Sequence, residues 1–75
     1  MMHTRIRELR EDRDLKQREL AGYLSIAQTT YSDYEAGKLN IPLIILDKLA
    51  DYYQTSTDYL LYRTDQIKPY PRSRR

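Results

Sequence analysis

Between Lys16 and Lys38 the apolar residues fall into two short helical sets separated by a break of a few residues. Leu20, Ala21 and Leu24 recur at helical spacing and give the first set a single apolar face. Ala21 stands in the middle of that face, where a larger side chain would hold off whatever packs against it. Ile26 continues the apolar set across the break. Tyr31 and Tyr34, three residues apart, then lie on one side of a second helix. Gly37 ends that helix, because glycine takes up the left-handed conformation at little cost. Helices this short are marginal alone. They must therefore bury their faces against each other, with Ala21 at the crossing.

With Tyr31 and Tyr34 turned inward, Gln28, Thr29, Ser32 and Asp33 point elsewhere. These side chains are short or carry an amide, and they hydrogen-bond without a long flexible arm. Two helices joined by a tight turn, the second with a polar outer side, form a helix-turn-helix, whose second helix can enter the major groove of DNA.

The rest of the chain reads as further short helices around this pair. A first helix is expected from about Thr4 to Asp12, with Ile6 and Leu9 inward. A loop from Lys38 to Ile41 leads to Pro42 in the first turn of a fourth helix. Leu43, Leu46, Leu49, Ala50 and Tyr53 are expected on its inner side. Ser56 reads as the N-cap of a last short helix carrying Tyr59, Leu60 and Leu61.

In order and spacing these residues resemble the Cro and phage-repressor type of helix-turn-helix, the lambda-repressor-like or XRE family of transcriptional regulators. The resemblance is carried by Leu15, Gln17, Leu20, Ala21, Leu24, Ile26, Thr30 and Glu35-x-Gly37. It continues through Ile41-Pro42, Leu49-Ala50 and Ser56-Thr57-Asp58-Tyr59-Leu60-Leu61, and so covers about residues 4 to 62. It implies an all-α, compact five-helix domain over residues 1–62, with the helix-turn-helix formed by the second and third helices. Residues 63–75 form a basic tail, expected to be disordered in the free protein, with Pro69 and Pro71 and little to bury. Three positions depart from the family pattern. Ser25 stands where a turn glycine is common, and Ala27 where a serine or threonine cap is common. Tyr31 and Tyr34 replace smaller aliphatics.

The resemblance also implies roles. The start of the third helix would face the groove, making Gln28, Thr29, Ser32 and Asp33 the candidates for base contact. Gln28 can bond the N6 and N7 edge of adenine in bidentate fashion. Asp33 could accept from cytosine N4, or serve a solvated or intramolecular role instead. Gln17, at the start of the second helix, would meet the phosphate backbone, with Lys16, Lys38 and Asn40 on the same rim. Thr30 is expected to be partly buried at the helix interface. Arg10 would pair with Glu35 and pin the third helix to the scaffold, a structural role.

Composition bears mainly on what the chain is not expected to be. It has no cysteine and one histidine, His3, so neither a thiolate metal site nor a disulfide framework can be built. Two glycines in all make no phosphate-binding loop. An enzyme is not expected, nor is a cofactor. No apolar run approaches transmembrane length, and the first residues lack a signal-peptide core, so the cytoplasm is the expected location. Residues 63–75 carry a net charge of +4 and the remaining 62 residues −2, so the folded body is not globally basic. The DNA-binding expectation therefore rests on the motif and not on total charge.

The function the family resemblance implies is that of a small bacterial or phage transcription regulator, in sense a repressor. It would bind double-stranded DNA, with a homodimer possible through the fourth and fifth helices or the loop before them. The rival is a protein-interaction module that keeps the fold without binding DNA. It draws on the negative body, on Asp33 and on the tyrosines.

Overall fold

A computed structural model describes residues 3–68 of the 75-residue chain. Among these residues there are five helices and no strand. They are α1 (Ile6–Asp12), α2 (Gln17–Leu24), α3 (Gln28–Ala36), α4 (Leu43–Tyr52) and α5 (Thr57–Leu60). The expected all-α architecture is therefore the one observed, with α2 and α3 as the helix-turn-helix.

Each helix begins and ends for a local reason. The Glu19 carboxylate accepts from the backbone N–H of Lys16 at 2.6 Å, which is half of a capping box. Lys16 has no side-chain acceptor with which to complete it. Ser25 ends α2 in the left-handed region (φ 58°, ψ 42°) and reverses the chain toward α3. Gly37 does the same for α3 (φ 76°), with its own N–H and that of Lys38 turned back onto Tyr34 and Asp33 carbonyls. The Ser56 hydroxyl accepts from the Tyr59 N–H at 3.0 Å and starts α5. Pro42 lies one residue ahead of its expected place: with ψ at 149° it is the extended residue preceding α4 rather than part of its first turn.

The core gathers Ile6, Leu9, Leu20, Ala21, Leu24, Tyr31, Tyr34, Leu46, Leu49 and Leu60 from all five helices. Ala21 is 3% exposed at the α2–α3 crossing. Tyr31 and Tyr53 are the largest fully buried side chains. Both hydroxyls are buried without a hydrogen bond, and burial pushes both phenols above their ordinary range. In a chain without Phe or Trp, tyrosine fills the aromatic places of the core.

Leu43 is the exception to the expected core. It is 75% exposed, and Ile45 is buried in its stead. The inner face of α4 is centred among Ile45, Leu46, Leu49 and Tyr53. Leu43 lies about a quarter turn off that centre, in the first turn, where no neighbouring element covers it.

The two ends of the domain meet. The Arg5 N–H donates to Leu60 O at 2.8 Å, and its guanidinium donates to Tyr59 O and Thr64 O and pairs with Asp65. The same guanidinium lies 4.2 Å from the ring centroids of both Tyr59 and Tyr62. Thr55 Oγ1 donates to Ile67 O. Of the segment 63–75 read as a tail, Arg63, Thr64, Asp65 and Ile67 are thus bonded to the body, Arg63 through its N–H to Asp58 O at 2.8 Å. Its basic residues Arg72, Arg74 and Arg75 lie outside the described residues.

Candidate nucleic-acid interface

The outward side of α3 is set by what its inward side must bury. Tyr31 and Tyr34 face the core, and Thr29, Ser32, Asp33 and Ala36 take the opposite side. Gln28 and Thr29 are exposed at the helix start, and Ser32 and Asp33 are half-buried further along. Thr30 is half-buried as well. Ala27, extended and without a side-chain acceptor, leaves the first N–H groups of α3 uncapped by protein. Their partial positive charge faces the same way as Gln28 and Thr29.

Below this face α3 is held by one buried carboxylate. Glu35 accepts from Arg10 Nε at 2.7 Å and from Arg10 Nη2 at 3.1 Å, a bidentate pair whose side chains are 13% and 4% exposed for Arg10 and Glu35. Arg10 Nη1 donates to Leu15 O at 2.8 Å. Gln17 Nε2 donates to Glu35 Oε1 at 3.1 Å. One carboxylate thereby ties α1, the start of α2 and the end of α3. Burial alone would raise the Glu35 carboxyl. The bonds from Arg10 and Gln17 and the charge of Arg10 together outweigh it and hold the group below its ordinary value. The same pairing raises Arg10.

The site residues read from the sequence thus divide by place. Arg10, Gln17 and Glu35 are bonded together, and with Ser32 they line a cleft of about 200 Å³ between α1, α2 and α3. Gln28 and Thr29 stand at the exposed start of α3. Lys16 is exposed just before α2, and Lys38 and Asn40 are exposed in the loop after α3. Gln17 serves two ends: one amide hydrogen goes to Glu35, and the second remains for an outside acceptor.

Arg7 joins the rim of the cleft and was not singled out in the sequence. Its exposed guanidinium bonds Glu11 at 3.3 Å. The signal was its position three residues before Arg10, on the same face of α1.

Among the described residues no cluster of three or more His, Asp or Glu side chains is placed to hold a metal. Among the same described residues no helix is long and apolar enough to cross a membrane.

Comparison with known proteins points the same way. The helix-turn-helix family model matches residues 6–60, from the start of α1 to the end of α5. The HTH-type transcriptional regulator YobD of Bacillus subtilis (strain 168) is 40% identical over 69 residues, 92% of this chain and 62% of that protein. The cryptic phage CTXphi transcriptional repressor RstR of Vibrio cholerae is 40% identical over 53 residues, 71% of this chain and 48% of that one. The HTH-type transcriptional regulator AnsR of B. subtilis (strain 168) is 36% identical over 69 residues, covering 92% and 60%. The chain spans about half to three-fifths of the length of these relatives.

Proposed function

The chain belongs to the helix-turn-helix family, and from that premise we propose that it is a sequence-specific DNA-binding regulator of transcription, acting as a repressor in the cytoplasm. The observation that carries this reading is the outward side of α3. Gln28 and Thr29 stand exposed at an uncapped helix N-terminus, while Tyr31, Tyr34 and Glu35 fix that helix to the scaffold from behind.

In this reading α3 lies in the major groove. Gln28 bonds the adenine N6 and N7 edge, and Thr29 offers its methyl to thymine. Ser32 and Asp33 follow one turn later, Ser32 with a hydroxyl that both donates and accepts and Asp33 as an acceptor for cytosine N4. Gln17, through its second amide hydrogen and the start of α2, meets a backbone phosphate. Lys16, Lys38 and Asn40 hold the flanking phosphates and so set register without reading sequence. One such helix reads only a few base pairs, so useful discrimination calls for a two-fold dimer on half-sites about one helical turn apart. Repression then follows from occupancy, since a bound dimer excludes polymerase or a competing regulator. The names of the relatives, which include a phage repressor, support this sense of regulation.

The test is selection of bound duplexes from a randomised pool, followed by amide NMR titration with the selected site at two salt concentrations. Shifts at Gln17, Gln28, Thr29, Ser32 and Lys38 that weaken steeply with salt are expected. Gln28→Ala should cost about 1–3 kcal/mol at one base position and relax the preference there. Selection that yields no sequence, with no shift on α3, would overturn the reading and turn attention to a protein partner.

A further inference from the structure

The charges of α1 are sorted between its two sides. Arg7 and Arg10 line the cleft that α1 shares with α2 and α3. Glu8, Glu11 and Asp12 line a second cleft on the other side, against Arg5 and Tyr59. Glu35 is the one acid lining the first cleft, and Arg10 answers it with two bonds while a third goes to Leu15 O. Gln17 keeps one amide hydrogen for an outside acceptor. Ser32 and Ala36 wall the α3 side with small side chains that leave the cleft open. Of the two cations lining it, Arg7 is the one free to reach outward. Its Nε bonds Glu11 at 3.3 Å, the two side chains being 69% and 54% exposed, and its terminal nitrogens carry no bond among the described residues. An exposed pair of this kind contributes little and parts readily.

We propose that Arg7 is a further DNA-contacting residue, which together with Gln17 seats one backbone phosphate at the mouth of this cleft. On binding, its guanidinium leaves Glu11 and turns its fork of N–H groups to the phosphate, whose oxygens it meets two at a time. Arg10 stays with Glu35, because moving it would leave that carboxylate buried and uncompensated. Glu8 and Asp12, on the far side of α1, repel the same strand and confine it to the side of Arg7 and Gln17. A phosphate carries no sequence, so Arg7 sets the register of α3 in the groove without reading a base.

This deepens the DNA-binding reading and rests on it. The test titrates the protein with the duplex recovered by selection and with a mixed-sequence duplex, each from about 50 to 200 mM salt. Arg7→Ala should weaken both complexes by roughly 10-fold. It should also lower the slope of log K against log salt by about 0.9. Its melting temperature should hold, because the side chain stands in solvent. Arg7→Lys should restore the slope and part of the affinity, since it keeps the charge and loses the fork. A set of selected duplexes, each with one phosphate replaced by a neutral methylphosphonate, then locates the contact. At one position of each half-site the neutral linkage should weaken wild type more than Arg7→Ala, and more than Gln17→Ala as well. An unchanged slope in Arg7→Ala, losses that simply add at every position, or coupling of Arg7 and Gln17 to different phosphates would each overturn the proposal. The DNA-binding reading would survive those results so long as wild type stays selective and Gln28→Ala relaxes it. Absence of DNA binding by wild type would overturn both.

Discussion

Glu35 is the residue on which the placement of α3 turns. Its carboxylate is almost fully buried and accepts from two residues on other elements. Removing one partner of a buried pair leaves a charge without compensation, which typically costs about 3–5 kcal/mol. Arg10→Ala should therefore lower the melting temperature sharply, and a calorimetric scan unchanged from wild type would dismiss this role. The same group predicts a pH dependence. Its folded-state value lies below the ordinary one of 4.5, so the unfolded chain binds the proton first as pH falls. The stabilisation is fully present above about pH 5 and is lost as pH drops through the folded-state value. Glu35→Gln should flatten that acid limb in a denaturation series at stepped pH, on top of a lower stability at neutral pH. A limb as steep in the variant as in wild type would assign the acid sensitivity to other carboxylates.

At the scale of elements, the helix pair carries a strained joint. Ser25 holds φ at 58°, a conformation that costs a non-glycine residue about 1 kcal/mol. Ser25→Gly relieves that strain but loosens the unfolded chain, so the net gain should be about 0.5 kcal/mol, or a rise of ~2–4 °C in melting temperature. A fall would mean that the serine hydroxyl or its Cβ has packing value in the turn. The elements themselves were legible because their signals are local. Leu20, Ala21 and Leu24 repeat at helical spacing, Gly37 stops α3, and Ser56 caps α5. Leu43 was misplaced because a three-residue step to Leu46 fits an inward face equally well whichever turn the helix starts on. Only the seating of Ile45 in the core fixes the rotation of α4. The bond from Gln17 to Glu35 joins residues 18 apart on different helices, and no periodicity encodes it. The pairing of Arg10 with Glu35 was legible only through resemblance to a family, since many acids in this chain could answer that arginine.

At the scale of the whole molecule, the contacts that define the helix-turn-helix are close in sequence, whereas the junction of the two ends is not. Arg5 reaches Tyr59 and Asp65 across separations of 54 and 60 residues. Bringing such distant residues together carries the largest loop-closure entropy in the chain. The α2–α3 pair can assemble before that closure, and the clasp of Arg5 between Tyr59 and Tyr62 then belongs to the late side of the folding barrier. Arg5→Ala should consequently speed unfolding several-fold in stopped-flow experiments while leaving the refolding rate nearly unchanged. A comparable slowing of refolding would move the clasp into the transition state. The clasp thus acts on lifetime more than on assembly. A reading head that forms quickly from neighbouring residues is kept folded by the arginine that latches its first helix to its last.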